Sequence, residues 1–147
     1  MNCPTAGSHS PRAAPRLIGG AVISTVLIID DYPAVRKSLR GLLEKLCLVA
    51  CIEAANGLDA IAKTEVSRPD LIVLDLSMPE MNGFELATAL RKTMPQVPIF
   101  MFTAHDCPAV ESKAASVGIR AVFSKYTGIN ALVARAGELL NPSHASA

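Results

Sequence analysis

At 147 residues and a net charge of +1, the chain is sized for one domain with a real core. Half the residues are hydrophobic but only 4% are aromatic, so aliphatic side chains must fill the interior, as in α/β proteins with covered parallel sheets. Arg12 and Arg16 are the only charges before residue 25, and the remainder carries 12 basic and 13 acidic residues. That balance excludes the basic footprint of a nucleic-acid binder.

Residues 1 to 22 are rich in Pro, Gly, Ala and Ser and read as a disordered N-terminal tail. Residues 23–141 read as one folded unit and 142–147 as a C-terminal tail. Leu17 to Ile29 is largely apolar and follows two arginines, the outline of an export signal. It is too short for a membrane span. It runs into Asp30-Asp31 without a small-residue cleavage site, and its second half is β-branched like a strand. A cytoplasmic protein without membrane contact is expected. The four cysteines form no Cys-x-x-Cys pair, and Cys47 and Cys51 read as reduced, buried thiols.

From Thr25 the chain alternates short apolar runs with helical patterns. The runs are Thr25–Asp30, Leu48–Glu53, Leu71–Asp75, Val97–Phe102 and Ile119–Phe123, starting 23, 23, 26 and 22 residues apart. Five βα units predict a doubly wound, five-stranded parallel sheet with five helices on its two faces. In the first helix Val35, Leu39, Leu42, Leu43 and Leu46 make an apolar stripe. Residues 57–67, 83–93 and 107–117 supply the next three helices, with Asp106 as the expected N-cap of the last and Pro108 in its first turn. In 129–140, Ile129, Leu132, Val133, Ala136, Leu139 and Leu140 face inward. No stretch is left for a helix-turn-helix or a second domain.

In a parallel sheet all strands end on one edge, where open α/β sheets bind ligands. Asp30 and Asp31 follow strand 1, Asp75 ends strand 3, Thr103 follows strand 4 and Lys125 follows strand 5. Each alone has an ordinary reading as a turn residue, a polar strand end or a solvated lysine. Together they bring three carboxylates, a hydroxyl and an ammonium to one place. Two like charges ~4 Å apart repel by about 4 kcal/mol at an effective dielectric of 20. Such a cluster needs a cation or must take up protons. An all-oxygen site suits Mg²⁺, and Mg²⁺ beside carboxylate and ammonium suits phosphoryl transfer, with Asp as nucleophile.

The motifs Ile28-Ile-Asp30-Asp31, Asp75-Leu-Ser-Met-Pro79-Glu-Met-Asn-Gly83, Phe102-Thr103-Ala104 and Ser124-Lys125 resemble those of the receiver domains of two-component response regulators. The resemblance covers roughly residues 24–140, and the length is similar to that of the stand-alone, chemotaxis-type members. It implies a flavodoxin-like (βα)5 fold and a signalling protein that catalyses only its own phosphoryl transfer and dephosphorylation. It implies Asp75 as phosphoacceptor, and Asp31 with Asp75 as direct Mg²⁺ ligands. Asp30 would act mostly through water, and the Ser77 carbonyl would complete the set. Thr103 would be the switch hydroxyl, Ala104 the small residue leaving room for the phosphoryl group, and Lys125 its charge partner. The resemblance implies that Ser77 and His105 border the path of water and tune phosphoryl lifetime, while His105 reads equally as a solvated loop residue. The implied donor is a phosphohistidine on a sensor histidine kinase or a histidine phosphotransfer protein, and the output is contact with a downstream protein.

The chain departs from the pattern twice. Val122 stands where the family usually has Tyr or Phe, and alternation sends Phe123 to the opposite face. Output is therefore expected through backbone movement of the loop after strand 4. Tyr126 replaces the usual Pro after the lysine, and a non-proline cis bond costs about 2.5–4 kcal/mol, so a trans bond is expected. The fourth helix, fifth strand and fifth helix form the expected partner face, with small outward residues Ala131, Ala134 and Gly137 on the last helix.

Three other readings compete. A haloacid-dehalogenase-type Mg²⁺ phosphatase needs a second Asp two residues after the nucleophile, where this chain has Ser77. A flavodoxin-like cofactor binder needs a loop of phosphate-binding N–H groups after strand 1, where Asp30-Asp31 would repel phosphate. A receiver-like interaction module without phosphorylation has no need of the complete Asp–Thr–Lys set.

Overall fold

The computed structural model describes residues 16–18 and 21–141. Its elements are β1 (Arg16–Ile18), β2 (Ala21–Ile29), α1 (Pro33–Leu46), β3 (Val49–Ala54), α2 (Gly57–Val66), β4 (Leu71–Leu74), α3 (Gly83–Thr93), β5 (Ile99–Thr103), α4 (Pro108–Ser116), β6 (Ala121–Ser124) and α5 (Ile129–Leu140). β2 to β6 form the expected parallel sheet in the order β3-β2-β4-β5-β6, and β1 pairs antiparallel with the start of β2.

Side-chain alternation along each central strand sends successive residues to two cores. Leu27, Ile29, Ile72, Leu74, Ile99 and Met101 pack against Ala60 of α2, Leu86, Ala87 and Leu90 of α3 and Ala114 of α4. Val26, Ile28, Leu71, Val73, Phe100 and Phe102 pack against Leu39 and Leu43 of α1 and Leu132, Val133 and Ala136 of α5. Apolar residues in unbroken runs are required because β4 and β5 are buried on both faces throughout. Each fully buried Leu or Ile contributes about 1.5–3 kcal/mol relative to exposure.

Several boundaries differ from the sequence reading. The first central strand begins at Ala21 rather than Thr25, because Ala21–Ile23 pair with Arg16–Ile18 in an added hairpin. Part of the stretch read as tail is thus strand, whereas residues 1–15 and 142–147 lie outside the described residues. The strand expected from Val97 begins at Ile99, since Pro98 has no N–H and contributes only its carbonyl, to Ile72 N–H. Cys107, not Asp106, is the N-cap of α4 and makes no side-chain cap. Pro108 at the first helical position places Asp106 one residue too early to cap. In the α1 stripe Leu39 and Leu43 are buried, but Leu46 is 63% exposed, because the helix ends there before it can cover that position. Cys51 is buried as expected, while Cys47 is only partly so.

Candidate functional site

The C-terminal ends of β2, β4, β5 and β6 lie side by side, so the residues that follow them meet at one edge. Asp30 and Asp75 are 2% and 4% exposed, and Asp31 is half-buried. One carboxylate oxygen from each of the three lies within 4.8 Å of the others. Lys125 Nζ reaches into the cluster, 2.7 Å from Asp30 Oδ2 and 3.2 Å from Asp75 Oδ2. Of the five groups expected to converge, the three carboxylates and the ammonium are thus together.

Each carboxylate is held differently. Asp30 Oδ1 accepts the Tyr32 N–H at 2.9 Å, and its Oδ2 takes the lysine. Asp75 accepts the Ser77 backbone N–H as well as Lys125. Asp31 Oδ1 is buried and has no hydrogen-bond partner among the described residues. A buried carboxylate oxygen without a partner is costly unless a cation takes it up. This orphaned atom, beside two further carboxylates, fits the donor set of a hard divalent cation with oxygen ligands.

The electrostatics agree. Burial pushes the Asp75 carboxyl above its ordinary range, and the charge of Asp30 adds to the shift against the opposing pull of Lys125. For Lys125, burial alone would lower the ammonium, but the hydrogen bond and charge of Asp30, then of Asp75, outweigh it and raise the group. One cation among three carboxylates leaves the cluster with excess negative charge.

The loops that carry these groups are tightly built. Asp75 N–H donates to the Ile29 carbonyl, which extends the β2–β4 ladder to the site. Between Asp75 and α3 the chain makes a γ-turn, with Glu80 at φ 71° and Met81 N–H bonded to the Pro79 carbonyl at 2.8 Å. A Cβ at Gly83 would collide with the Asp75 carbonyl and lie 2.9 Å from Leu76 Cα, so only glycine lets α3 start this close to the site. Asn82 and Glu85 then form a reciprocal capping box.

Other anticipated residues are placed more variably. Thr103 is fully buried; its Oγ1 accepts the His105 N–H at 3.1 Å, and its carbonyl accepts the Lys125 N–H at 2.9 Å. Ala104 is half-buried and His105 exposed, contributing its backbone rather than its ring. Ser77 is exposed, with its N–H on Asp75. Val122 packs on the α2–α3–α4 face, whereas Phe123 packs on the opposite face with its ring edge-on to Phe100, centroids 5.3 Å apart. The expected alternation of these two residues is met. The Lys125–Tyr126 bond is trans, there being no cis peptide among the described residues. Tyr126 also donates an N–H to Ser124 Oγ, which a proline could not do. On α5, Ala131 is exposed, but Ala134 and Gly137 line a groove with Leu46 and Cys47 at the end of α1. They therefore belong to the α1 side of α5, not to the face shared with α4.

Two neighbours were not singled out in the sequence. Tyr32 is 61% exposed at the mouth of the site, with Lys125 Nζ 5.7 Å from its ring centroid. Arg36, one turn into α1, donates from Nη1 to the Asp30 carbonyl at 2.6 Å. An arginine five residues after Asp31 was a usable signal, since the first turn of the following helix returns to the strand end.

Comparison with known proteins agrees with this geometry. The family model described as the response regulator receiver domain matches residues 26–137. Response regulator protein VraR of Staphylococcus aureus is 33% identical over 103 residues, covering 69% of this chain and 49% of that protein. The chain thus spans about half the length of the curated relatives it matches. Among solved structures, chemotaxis protein CheY4 of Vibrio cholerae is similar with a TM-score of 0.74 and 28% identity, over 81% of this chain and 100% of that one. A two-component response regulator of the LuxR family from Aurantimonas has a TM-score of 0.71 and 29% identity, over 76% and 80% of the two chains. No helix among the described residues is long and apolar enough to cross a membrane. With a parallel sheet in this order, an acidic cluster at its edge and a family match across most of its length, the chain belongs to the response regulator receiver domain family.

Proposed function

We propose that the protein is a phosphoacceptor in two-component signalling, taking a phosphoryl group from a phosphohistidine onto Asp75. The observation that carries this reading is the clustering of Asp30, Asp31 and Asp75, with Lys125 on Asp30 and Asp75 and the buried Asp31 Oδ1 without a partner among the described residues. Asp31, Asp75 and the Ser77 carbonyl would hold Mg²⁺ directly, with Asp30 bound mostly through water. When bound, the ion supplies positive charge against the phosphoryl oxygens as they approach the carboxylates.

The chain's own residues do the rest. The Asp75 carboxylate attacks phosphorus; its O–P bond forms as the P–N bond to the donor imidazole breaks, and the imidazole keeps the bonding pair and takes a proton. Lys125 already sits on Asp75, so it is placed to pair with the charge that arrives there. Ala104 leaves space beside Asp75 for the phosphoryl group. Ser77 and His105 border the path of water and set the lifetime of the phosphorylated state. The donor is a sensor histidine kinase or a histidine phosphotransfer protein, and the signal leaves by contact with a downstream protein.

Transmission starts at Thr103. In this structure its hydroxyl oxygen is taken by the His105 N–H. A phosphoryl group on Asp75 accepts the Thr103 O–H and draws the side chain toward itself, and the His105 N–H bonded to Oγ1 carries that movement into the loop 104–107. Val122 offers no ring to follow it, so the loop backbone itself is the output.

The test is exposure of wild type and Asp75→Ala to a small phosphodonor, with and without Mg²⁺, followed by intact mass. A single phosphoryl addition is expected for wild type with Mg²⁺ only. A folded, Mg²⁺-loaded wild type that gains no phosphoryl mass overturns the reading.

A further inference from the structure

The three carboxylates are not equally restrained. Lys125 and backbone N–H groups hold the side chains of Asp30 and Asp75. Asp31 Oδ1 has no such partner among the described residues, so the aim of this side chain depends on the peptide that carries it. That peptide is the Asp30–Asp31 unit, and its carbonyl oxygen accepts Arg36 Nη1 at 2.6 Å. The same guanidinium donates from Nε to Glu53 Oε1 at 2.9 Å, so the fork bridges the loop to β3. Glu53 is itself fixed by Arg40, whose Nη1 lies 2.9 Å from Oε2. The Arg36 side chain is only 15% exposed, which strengthens both contacts.

We propose that Arg36 is a positioning residue that fixes the Asp30–Asp31 peptide and so aims the Asp31 carboxylate into the site. This rests on the reading of the site as a Mg²⁺-assisted phosphoacceptor. A guanidinium does this better than an ammonium, because its planar fork meets a carbonyl and a carboxylate at once. Arg40 supplies an internal control, since it shares Glu53 but sends its other hydrogen bond to Glu44 rather than to the Asp30 carbonyl. Loss of either arginine weakens the ion-pair network, and only loss of Arg36 frees the peptide.

The experiment is calorimetric titration of MgCl₂ into wild type, Arg36→Ala, Arg36→Met and Arg40→Ala, with a urea unfolding curve for each. Arg36→Met keeps an unbranched stem packed on α1 if the alanine variant fails to fold. Both Arg36 variants are expected to bind Mg²⁺ about tenfold more weakly, the scale seen for partners that orient ligands. Arg40→Ala is expected to lose stability without losing Mg²⁺ affinity. Wild-type affinity in a folded Arg36 variant, or an equal loss in Arg40→Ala, overturns the positioning role alone. A wild type that binds no Mg²⁺ overturns the phosphoacceptor reading and this inference together.

Discussion

Asp75 carries a conflict between folding and function. Burial, then the charge of Asp30, raises its pKa above the ordinary 3.8, with Lys125 opposing. A carboxyl whose folded pKa is raised favours the fold below its unfolded range, and that contribution is lost as pH rises through the folded value. At neutral pH the ionised group therefore weighs against the fold. Asp75→Asn removes this charge while Lys125 keeps Asp30 at 2.7 Å. In Mg²⁺-free solution near neutrality the variant should therefore be more stable than wild type. Urea unfolding at neutral and acidic pH checks this, with the difference vanishing in acid. Added Mg²⁺ should stabilise wild type and not the variant, by mass action on the folded state. A variant less stable than wild type at neutral pH without Mg²⁺ would contradict the electrostatic account.

At the scale of elements, the turn from β4 into α3 holds the site together. A Cβ at Gly83 would meet the Asp75 carbonyl and Leu76 Cα, both backbone, so neither neighbour can yield as a side-chain tip would. Gly83→Ala should cost about 2–3 kcal/mol, the upper range for overpacking, and shift the urea midpoint accordingly. Asn82→Ala removes the side-chain arm of the capping box, keeps the backbone N–H that donates to Glu85, and should cost about 1 kcal/mol. It leaves the Asp75 turn unstrained, so phosphoryl uptake should persist in Asn82→Ala and fall in Gly83→Ala. In the sequence the glycine was legible only as the last residue of the motif that starts at Asp75. Its closeness to Asp75 depends on where α3 packs against β4, which no local pattern encodes. The same holds for α1, where the stripe foretold Leu39 and Leu43 correctly but not that Leu46 falls beyond the covered turn. Asp106 failed as a cap because Pro108 sets the helix start, a competition between two local signals. Asp30, Asp31, Asp75 and Lys125 were legible because strand ends in a parallel sheet share an edge, whatever the details of packing.

For the molecule as a whole, two cores flank one sheet, and reagents can report on their opening. Cys51 on β3 is buried between α1 and the sheet, where burial pushes the thiol up to about 12. Cys107 at the head of α4 is exposed. Since the thiolate is the nucleophile, an alkylating agent at neutral pH should label Cys107 rapidly. Cys51 should be labelled only through opening of the domain. Its protection, followed by peptide mass, should collapse at the urea midpoint of global unfolding. Labelling of Cys51 at the Cys107 rate in native buffer would mean that the α1 side of the sheet opens separately. What the sequence did not show at this scale is the hairpin of β1 with Ala21–Ile23, which lies where composition pointed to tail. A three-residue strand has too few positions for a period to register.

The central claim is that Asp75 receives a phosphoryl group. Its most direct test is to phosphorylate the wild-type chain with a small phosphodonor and Mg²⁺, trap the acyl phosphate by borohydride reduction, and map the product by peptide mass. Conversion of residue 75 to homoserine, absent without Mg²⁺, is the predicted result. Reduction at any other carboxylate, or at none in a folded Mg²⁺-containing sample, would contradict the account.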